Sequence, residues 1–297
     1  MGNMFEITVV ADNSTWASEK IESAVAEIKR IENLLTTYND ASITNIINAN
    51  AGIKEVVVSS EILELIKRAN KISEITDGAF DLSYGSIDKS LWNFDKQMKS
   101  LPNIETGKEI VKYINYKNII IDNERSTIFL KNSGMRIGFG GIGKGYAAEM
   151  AKSMLVKQGV TSGLVNASGD LTAWGTQANG QPWTVGIADP NNASIPFSYL
   201  HLNNQAIATS GNYEKFVIIN GKKYSHTINP KTGLPITGIK SVTTITTNAE
   251  IADAMTTPIA IMGIRAGLNL VNQIKDLNCV IIDDHNKIYT SKNIHLS

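Results

Sequence analysis

The 297-residue chain lacks the features that mark several classes of protein. Its single cysteine, Cys279, excludes an internal disulfide and any metal site built from several cysteines. There is no run of about 18 apolar residues and no charged-then-apolar leader, so the sequence predicts neither a membrane-spanning helix nor a signal peptide. The 28 basic residues balance 28 acidic ones without forming a basic cluster, which argues against nucleic acid as the main partner. What remains is a neutral globular protein, with 42% hydrophobic residues to build a core.

Hydrophobic periodicity predicts one mixed α and β domain over residues 1–297, with largely antiparallel strands flanked by helices. Helical patterns begin near Ser14, Ser42 and Ser59 or Ser60, and recur at about Thr106–Ile114, Tyr146–Lys157, Ala249–Met262 and Arg265–Ile274. Strand patterns lie at Met4–Ala11, Val56–Val58, Asn118–Ile121, Thr127–Leu130, Gly163–Asn166, Thr184–Ile187, Phe197–Leu202, Phe216–Ile219, Lys223–Thr227, Val242–Thr246 and Val280–Ile282. A turn at Asp284–Asn286 and a short last strand follow. The Asn220-Gly221 pair predicts a tight hairpin between two of these strands.

The densest unusual feature is a loop with five glycines in eight residues, Gly138 to Gly145. Glycines that lead into a helix let main-chain N–H groups approach an anionic ligand at the positive end of that helix. A P-loop needs a hydroxyl where Gly145 stands, and this excludes that motif. The dinucleotide fingerprint G-x-G-x-x-G is matched, but the nearest candidate for its acidic residue, Asp170, lies well beyond the expected spacing of about 20 residues. A turn that needs glycines for steric reasons alone is the third interpretation.

Two further segments carry candidate site residues. Asp253 and Thr257 stand one helical turn apart, and a carboxylate with a hydroxyl suits a hard cation such as Mg²⁺. The simpler alternative is a carboxylate that only stabilises the start of the helix. Pro258 removes a helical N–H beside these side chains. His226 lies where a strand enters a turn and can be held rigidly there, although a lone histidine is more often structural.

A series of short motifs, beginning at Met1-Gly2-Asn3, runs along nearly the whole chain. The others are Leu35-Thr36-Thr37-Tyr38 with Ser42, Gly78-Ala79-Phe80-Asp81, Leu91-Trp92, Gly140-Gly141-Ile142-Gly143-Lys144-Gly145-Tyr146, Ser168-Gly169-Asp170, Thr209-Ser210-Gly211, Tyr224-Ser225-His226 with Pro230 and Thr232-Gly233, and Ala252-Asp253-Ala254. In this order and spacing they resemble the ApbE-type flavin transferases, the FAD:protein FMN transferases. Each motif is short, and their number and order make the match specific.

The resemblance implies a single α/β domain that holds FAD and Mg²⁺ in a cleft. It implies a reaction that moves the FMN half of FAD to a threonine or serine hydroxyl of an acceptor flavoprotein and releases AMP. The implied FAD contacts are Met1, Tyr38, Ala79, Phe80, Asp81, Lys144, His226 and Thr227. The implied cation ligands are Asp253, Thr257 and the main-chain oxygen of Gly141, with Thr256 as a further candidate. Asp253 would serve catalysis through the cation, and we expect His226 to accept or orient the proton of the acceptor hydroxyl.

Three positions depart from the family pattern, since Gly138 and Asn229 replace aspartates and Pro258 replaces an alanine. The loss of two carboxylates keeps a non-catalytic flavin-binding paralogue open as an alternative to the transferase. A second alternative is a Mg²⁺-dependent FAD hydrolase, in which water replaces the acceptor hydroxyl and the products are AMP and FMN. A nicotinamide dehydrogenase would leave the His226 and Asp253 motifs unexplained. Family members are commonly envelope lipoproteins, so the resemblance implies a periplasmic or envelope location for the full-length protein, with a cytoplasmic one as the alternative.

Overall fold

The protein is described here from a computed structural model that covers residues 4–87, 103–189, 192–211, 216–219 and 221–294. Met1, the Leu91-Trp92 motif and Asn220 lie outside these ranges. The contact of Met1 with FAD therefore stays a prediction.

The helices within these ranges begin, for the most part, after a polar side chain that accepts a main-chain N–H. They are α1 (Ser14–Leu35), α2 (Ile43–Ala49), α3 (Ser60–Ile75), α4 (Ile104–Ile110), α5 (Gly143–Lys157), α6 (Ala249–Met262) and α7 (Ile264–Val271). Ser42 and Ser59 cap α2 and α3 as predicted. The predicted cap at Ser14 is wrong by one residue, because Asn13 Oδ1 accepts the N–H of Trp16 at 2.9 Å and Ser14 is already helical.

The strands belong to one large antiparallel sheet and three small ones. In chain order they are β1 (Phe5–Val9), β2 (Val56–Val57), β3 (Ile119–Asp122), β4 (Thr127–Leu130), β5 (Gly163–Ala167), β6 (Asp170–Trp174), β7 (Trp183–Asp189), β8 (Asn192–Leu202), β9 (Gln205–Gly211), β10 (Phe216–Ile219), β11 (Lys222–Ser225), β12 (Ile239–Thr246), β13 (Asn278–Asp283) and β14 (Ile288–Thr290). The large sheet has the order β1-β5-β6-β9-β12-β13-β14, and all its paired strands are antiparallel. The small sheets are β2-β4-β3, β7-β8 and β10-β11.

The two faces of the large sheet are covered differently. Helices α5 and α6 pack on one face, where small side chains such as Ala148 and Ala208 meet and allow a close approach. The β7-β8 hairpin covers the other face, with Leu202 packed in one cluster with Ile207 and Ile245. Both faces of the central strands are therefore buried, and β12 is buried along its whole length.

The largest core cluster joins the amino-terminal helices and the β2-β4-β3 sheet to α6 and the far end of the large sheet. Ile66 of α3, Ile128 of β4, Met255 of α6 and Ile281 of β13 all belong to it. Burial of these side chains is the main stabilising contribution, at about 25 cal/mol per Å² of apolar surface. The start of α5 is enclosed within this cluster, because Ile142 and Tyr146 are members.

Among the strands that the structure describes, β6 and β9 are the two that the sequence patterns did not predict. Strand β6 is buried at every position, so it lacks the apolar–polar alternation of a half-exposed strand. Strand β9 is built largely from small residues such as Ala206, Ala208 and Ser210, which have low strand propensity. Asp170, the last residue of the Ser168-Gly169-Asp170 motif, is the first residue of β6.

Candidate active site

The glycine loop leads directly into α5, as predicted, and the helix begins at Gly143. Ile142 precedes it and gives no side-chain cap. The cap comes from another helix, because Oδ2 of Asp253 in α6 accepts the N–H of Gly145 at 2.9 Å. The positive end of α5 and a buried carboxylate are thus held against each other.

Gly145 permits this contact. A Cβ atom on Gly145 would lie 2.1 Å from the carbonyl oxygen of Ala249 and 2.6 Å from Cβ of Asp253. Any side chain there would force α5 and α6 apart. The glycine that excluded a P-loop motif therefore has a packing role between the two helices.

Lys144 and Asp170 form an ion pair beside this cap. Asp170 is 2% exposed, and its Oδ1 also accepts the N–H of Thr209 at 3.3 Å. Burial raises the pKa of the Asp170 carboxyl, while Lys144 opposes that shift. The sequence placed Asp170 in a family motif, but the pairing with Lys144 joins residues far apart in the chain and no local pattern indicates it.

The carboxyl of Asp253 is buried in the same cluster. Burial and, next, the charge of Asp170 raise its pKa to about 7, whereas Lys144 and the N–H groups at the start of α5 lower it. When both carboxyls are ionised, the two carboxylates and one ammonium carry a net negative charge, which a divalent cation would neutralise. The cluster therefore fits the predicted cation.

The two threonines predicted as cation ligands on α6 differ in the exposure of their side chains. Thr256 is buried, and its hydroxyl donates to the main-chain oxygen of Asp253 at 2.9 Å. Thr257 lies one turn beyond Asp253 and is partly exposed. Among the residues that the structure describes, no three His, Cys, Asp or Glu side chains group into a metal site. A cation here would depend on hydroxyl and main-chain oxygens as well as Asp253, as the predicted ligand set does.

The turn after α3 lies against the glycine loop. A Cβ on Gly141 would be 3.5 Å from the ring of Phe80, so Phe80 and the predicted main-chain ligand are neighbours. Ala79 is buried beside them in the chain. Asp81 supports this turn, since its carboxylate accepts the N–H and hydroxyl of Ser83 at 2.8 and 2.6 Å and the N–H of Tyr116 at 2.7 Å. Both its oxygens are engaged, and burial nevertheless raises the pKa of this carboxyl.

Tyr38 lies at the rim of the same region. It is 98% exposed and follows Leu35, the last residue of α1. A Cβ on Gly143 would be 3.7 Å from a methyl group of Leu35, so the end of α1 abuts the start of α5. An exposed aromatic ring at this rim has the surface that a flavin or adenine ring stacks on.

His226 and Thr227 connect β11 to the turn that follows, and both are partly buried. The N–H of Thr227 donates to the Ser225 hydroxyl at 2.9 Å, and its carbonyl accepts from Ile236 at 3.0 Å. The next residue, Ile228, is buried in a cluster with Tyr84 packed against it. The two hydrogen bonds fix the main chain around Thr227, and the packing of Ile228 places this segment beside Tyr84.

The helices within the described ranges include none that is both long and apolar enough to cross a bilayer.

Known proteins share the sequence and the fold of this chain. The sequence model of the ApbE family matches residues 1–281. The FAD:protein FMN transferase of Klebsiella pneumoniae is 30% identical over 266 residues, which cover 89% of this chain and 82% of that protein. The FAD:protein FMN transferase of Salmonella typhimurium is 27% identical over 279 residues, covering 92% and 79%. The crystal structure of the ApbE protein of Thermotoga maritima matches with a TM-score of 0.87 at 30% identity, covering 98% of this chain and 94% of that one.

Similarity of this extent defines the class of the protein as a transferase enzyme, as the motifs predicted. The chain belongs to the ApbE family. Its mixed α and β fold, with a large antiparallel sheet, is the predicted one and is confirmed by the Thermotoga maritima structure.

Proposed function

We propose that this protein transfers the FMN part of FAD to a threonine or serine hydroxyl of an acceptor flavoprotein, releases AMP, and requires Mg²⁺. The observation that carries the proposal is the buried cluster of Lys144, Asp170 and Asp253 at the glycine-rich start of α5. A pyrophosphate is the part of FAD that such a cluster suits, because it presents anionic oxygens to an ammonium, a helix start and a cation site. The named relatives act on FAD and protein, which supports the same substrate class.

The chain's own residues have separate tasks in this reaction. Asp253, Thr257 and the main-chain oxygen of Gly141 would hold the cation, and Mg²⁺ when bound supplies neutralisation of charge on the pyrophosphate oxygens. Lys144 binds the same anionic group from the start of α5. Tyr38 is exposed and offers aromatic surface to the ring systems of FAD. Phe80 is buried in the core beside Gly141, and its contact with FAD, like that of Met1, is part of the proposal.

The bond changes follow from the chemistry of a phosphoryl centre. The acceptor hydroxyl oxygen forms a bond to the phosphorus of the FMN half, and the bond from that phosphorus to the AMP oxygen breaks. His226 accepts the proton of the hydroxyl, and AMP leaves with the electron pair of the broken bond. His226→Ala is expected to lower the transfer rate about 100-fold or more, and an unchanged rate would exclude this role.

Two alternatives differ in products. Water in place of the acceptor hydroxyl gives free FMN and AMP, and a paralogue without catalysis gives neither. The specific observation in favour of impaired catalysis is the replacement of aspartates by Gly138 and Asn229. Asn229 still builds its turn, because its Oδ1 accepts the N–H of Lys231 at 2.9 Å as an aspartate would.

The intact mass of an acceptor flavoprotein domain, incubated with this protein, FAD and Mg²⁺, separates these outcomes. We expect the gain of one covalent FMN, lost with EDTA and in Asp253→Asn. That variant keeps an oxygen for the Gly145 N–H and removes the charge, whereas alanine would also remove the helix cap. Glu74→Gln, which removes a carboxylate from an exposed pair with Lys71, is the matched control and should transfer normally. Free FMN and AMP without labelled acceptor would contradict the transferase and support the hydrolase.

We also propose that the full-length protein lies in the periplasm or cell envelope, as the family resemblance implies. Fractionation of the native cells, with the protein followed by immunoblot, tests it.

A further inference from the structure

Asp170 is held in place by the turn that precedes it. Strands β5 and β6 are joined by Ser168 and Gly169, both with positive φ (53° and 97°). The turn is fixed by two hydrogen bonds, from the N–H of Gly169 to Asn166 Oδ1 at 2.8 Å and from the Ser168 hydroxyl to the Met4 carbonyl at 3.0 Å. Asp170 then pairs with Ala167 as the first residue of β6. Its main chain has little freedom to move.

The side chain of Asp170 is fixed as well. Its Oδ1 accepts the N–H of Thr209 from the neighbouring strand β9, and its Oδ2 pairs with Lys144. Since the side chain is 3% exposed, water does not compete for either oxygen. The sheet therefore sets the position of the carboxylate, and the carboxylate sets that of the ammonium.

We infer that Asp170 is a positioning residue, which holds the Lys144 ammonium toward the substrate pyrophosphate and away from Asp253, so that Asp253 stays available to the cation. The inference rests on the proposed function, and it assigns a role to a residue outside the expected FAD and cation contacts.

The physical reason is that Asp170 and Asp253 are alternative ion-pair partners for the Lys144 ammonium. Lys144 is the residue before Gly145, whose N–H binds Asp253, so the lysine starts next to two buried carboxylates. Opposite charges attract strongly where water is excluded. Without the charge of Asp170, the Lys144 side chain would turn to Asp253, and an ammonium paired with Asp253 would oppose a cation at the same carboxylate.

A double-mutant cycle tests this inference on the full chain. Affinity for Mn²⁺ alone, as a probe for the divalent cation, is measured by electron paramagnetic resonance in wild type, Asp170→Asn, Lys144→Met and the double variant. Asp170→Asn should weaken Mn²⁺ binding about 10-fold to 100-fold, as for other residues that orient metal ligands. In the Lys144→Met background the same change should weaken it several-fold less, because no lysine is left to compete. FAD affinity is followed by flavin fluorescence in the same four proteins. Asp170→Asn should weaken FAD binding in the wild-type background and weaken it several-fold less in the Lys144→Met background.

Equal losses of Mn²⁺ affinity in both backgrounds would overturn the inference, because Asp170 would then act through its own charge or through the fold. Circular dichroism confirms folding, and if Asp170→Asn does not fold, Asp170→Ser takes its place in the cycle. Glu74→Gln should bind Mn²⁺ and FAD as wild type does. These are binding measurements, so a failure of flavin transfer in the mass assay leaves their outcome unaffected, and the two hypotheses are tested separately.

Discussion

At the scale of single residues, Cys279 offers a probe of the core. It is fully buried on β13, and burial raises the pKa of its thiol to about 12 while the Ser291 contact lowers it slightly. Between pH 9 and 12 the unfolded chain loses this proton and the native protein keeps it, so the free energy of unfolding falls as pH rises.

The prediction from Cys279 concerns the difference between wild type and Cys279→Ala. Wild type alone has the titrating thiol, so its advantage over the variant should shrink by about 1.4 kcal/mol between pH 8 and 10. Urea unfolding of both proteins at both pH values measures it. An equal difference at the two pH values would contradict a buried, protonated thiol.

The glycine loop has space for a side chain at Gly138. An added Cβ would come no closer than 3.7 Å to its nearest neighbour, Cα of Gly85. Gly138→Asp should therefore fold with unchanged melting temperature. It should raise Mn²⁺ affinity roughly fivefold, since one more carboxylate near the proposed cation site contributes on the order of 1 kcal/mol.

The control for that variant is Ala178→Asp, which adds the same charge in an exposed turn. It should leave Mn²⁺ affinity unchanged. If Gly138→Asp also leaves it unchanged, the missing aspartate is dispensable in this protein.

At the scale of elements, the contact between α5 and α6 depends on Gly145. Gly145→Ala should lower the free energy of unfolding by about 2–3 kcal/mol, because the new methyl group would overlap the main chain of Ala249. Gly140→Ala is the matched control, since an added Cβ there meets no atom within 4 Å. Urea unfolding should separate the two variants clearly, and equal stabilities would refute the close contact.

The contact between α5 and α6 should also affect the affinity of the candidate site for FAD and Mn²⁺. Gly145→Ala moves the start of α5 away from Asp253, so we expect FAD and Mn²⁺ affinity to fall along with stability. Gly140→Ala should keep both affinities within about twofold of wild type, because it adds no contact that could shift the helix.

At the scale of the whole molecule, the large sheet separates the site from the β7-β8 hairpin. Leu202 is buried on the hairpin side, opposite Asp170 and α5. Leu202→Ala should cost about 2–4 kcal/mol of stability by leaving a cavity. Under conditions in which the variant is fully folded, its affinity for FAD should equal that of wild type. A large loss of FAD affinity without unfolding would show that the hairpin side does contribute to the site.

The sequence predicts local features of this molecule well and its long-range contacts poorly. The span of α6 is predicted to the residue, because its cap and its apolar spacing are both local. Strand β6 escaped prediction because burial on both faces removes its alternation. Phe80, Lys144 and Asp253 were predicted as site residues from the family motifs. The grouping of Lys144 and Asp253 with Asp170 depends on the packing of β6, α5 and α6, which no local pattern contains.

The N-terminal cap of helix α5 is supplied by Asp253 of α6. This contact affects the choice of substitution for an inactive variant of the protein. A trap for the acceptor flavoprotein needs a folded surface with no turnover. Asp253→Ala is a poor choice for it, since it would loosen the start of α5 together with the chemistry. Lys144→Met leaves that cap in place, which makes it the better starting point for capturing the acceptor.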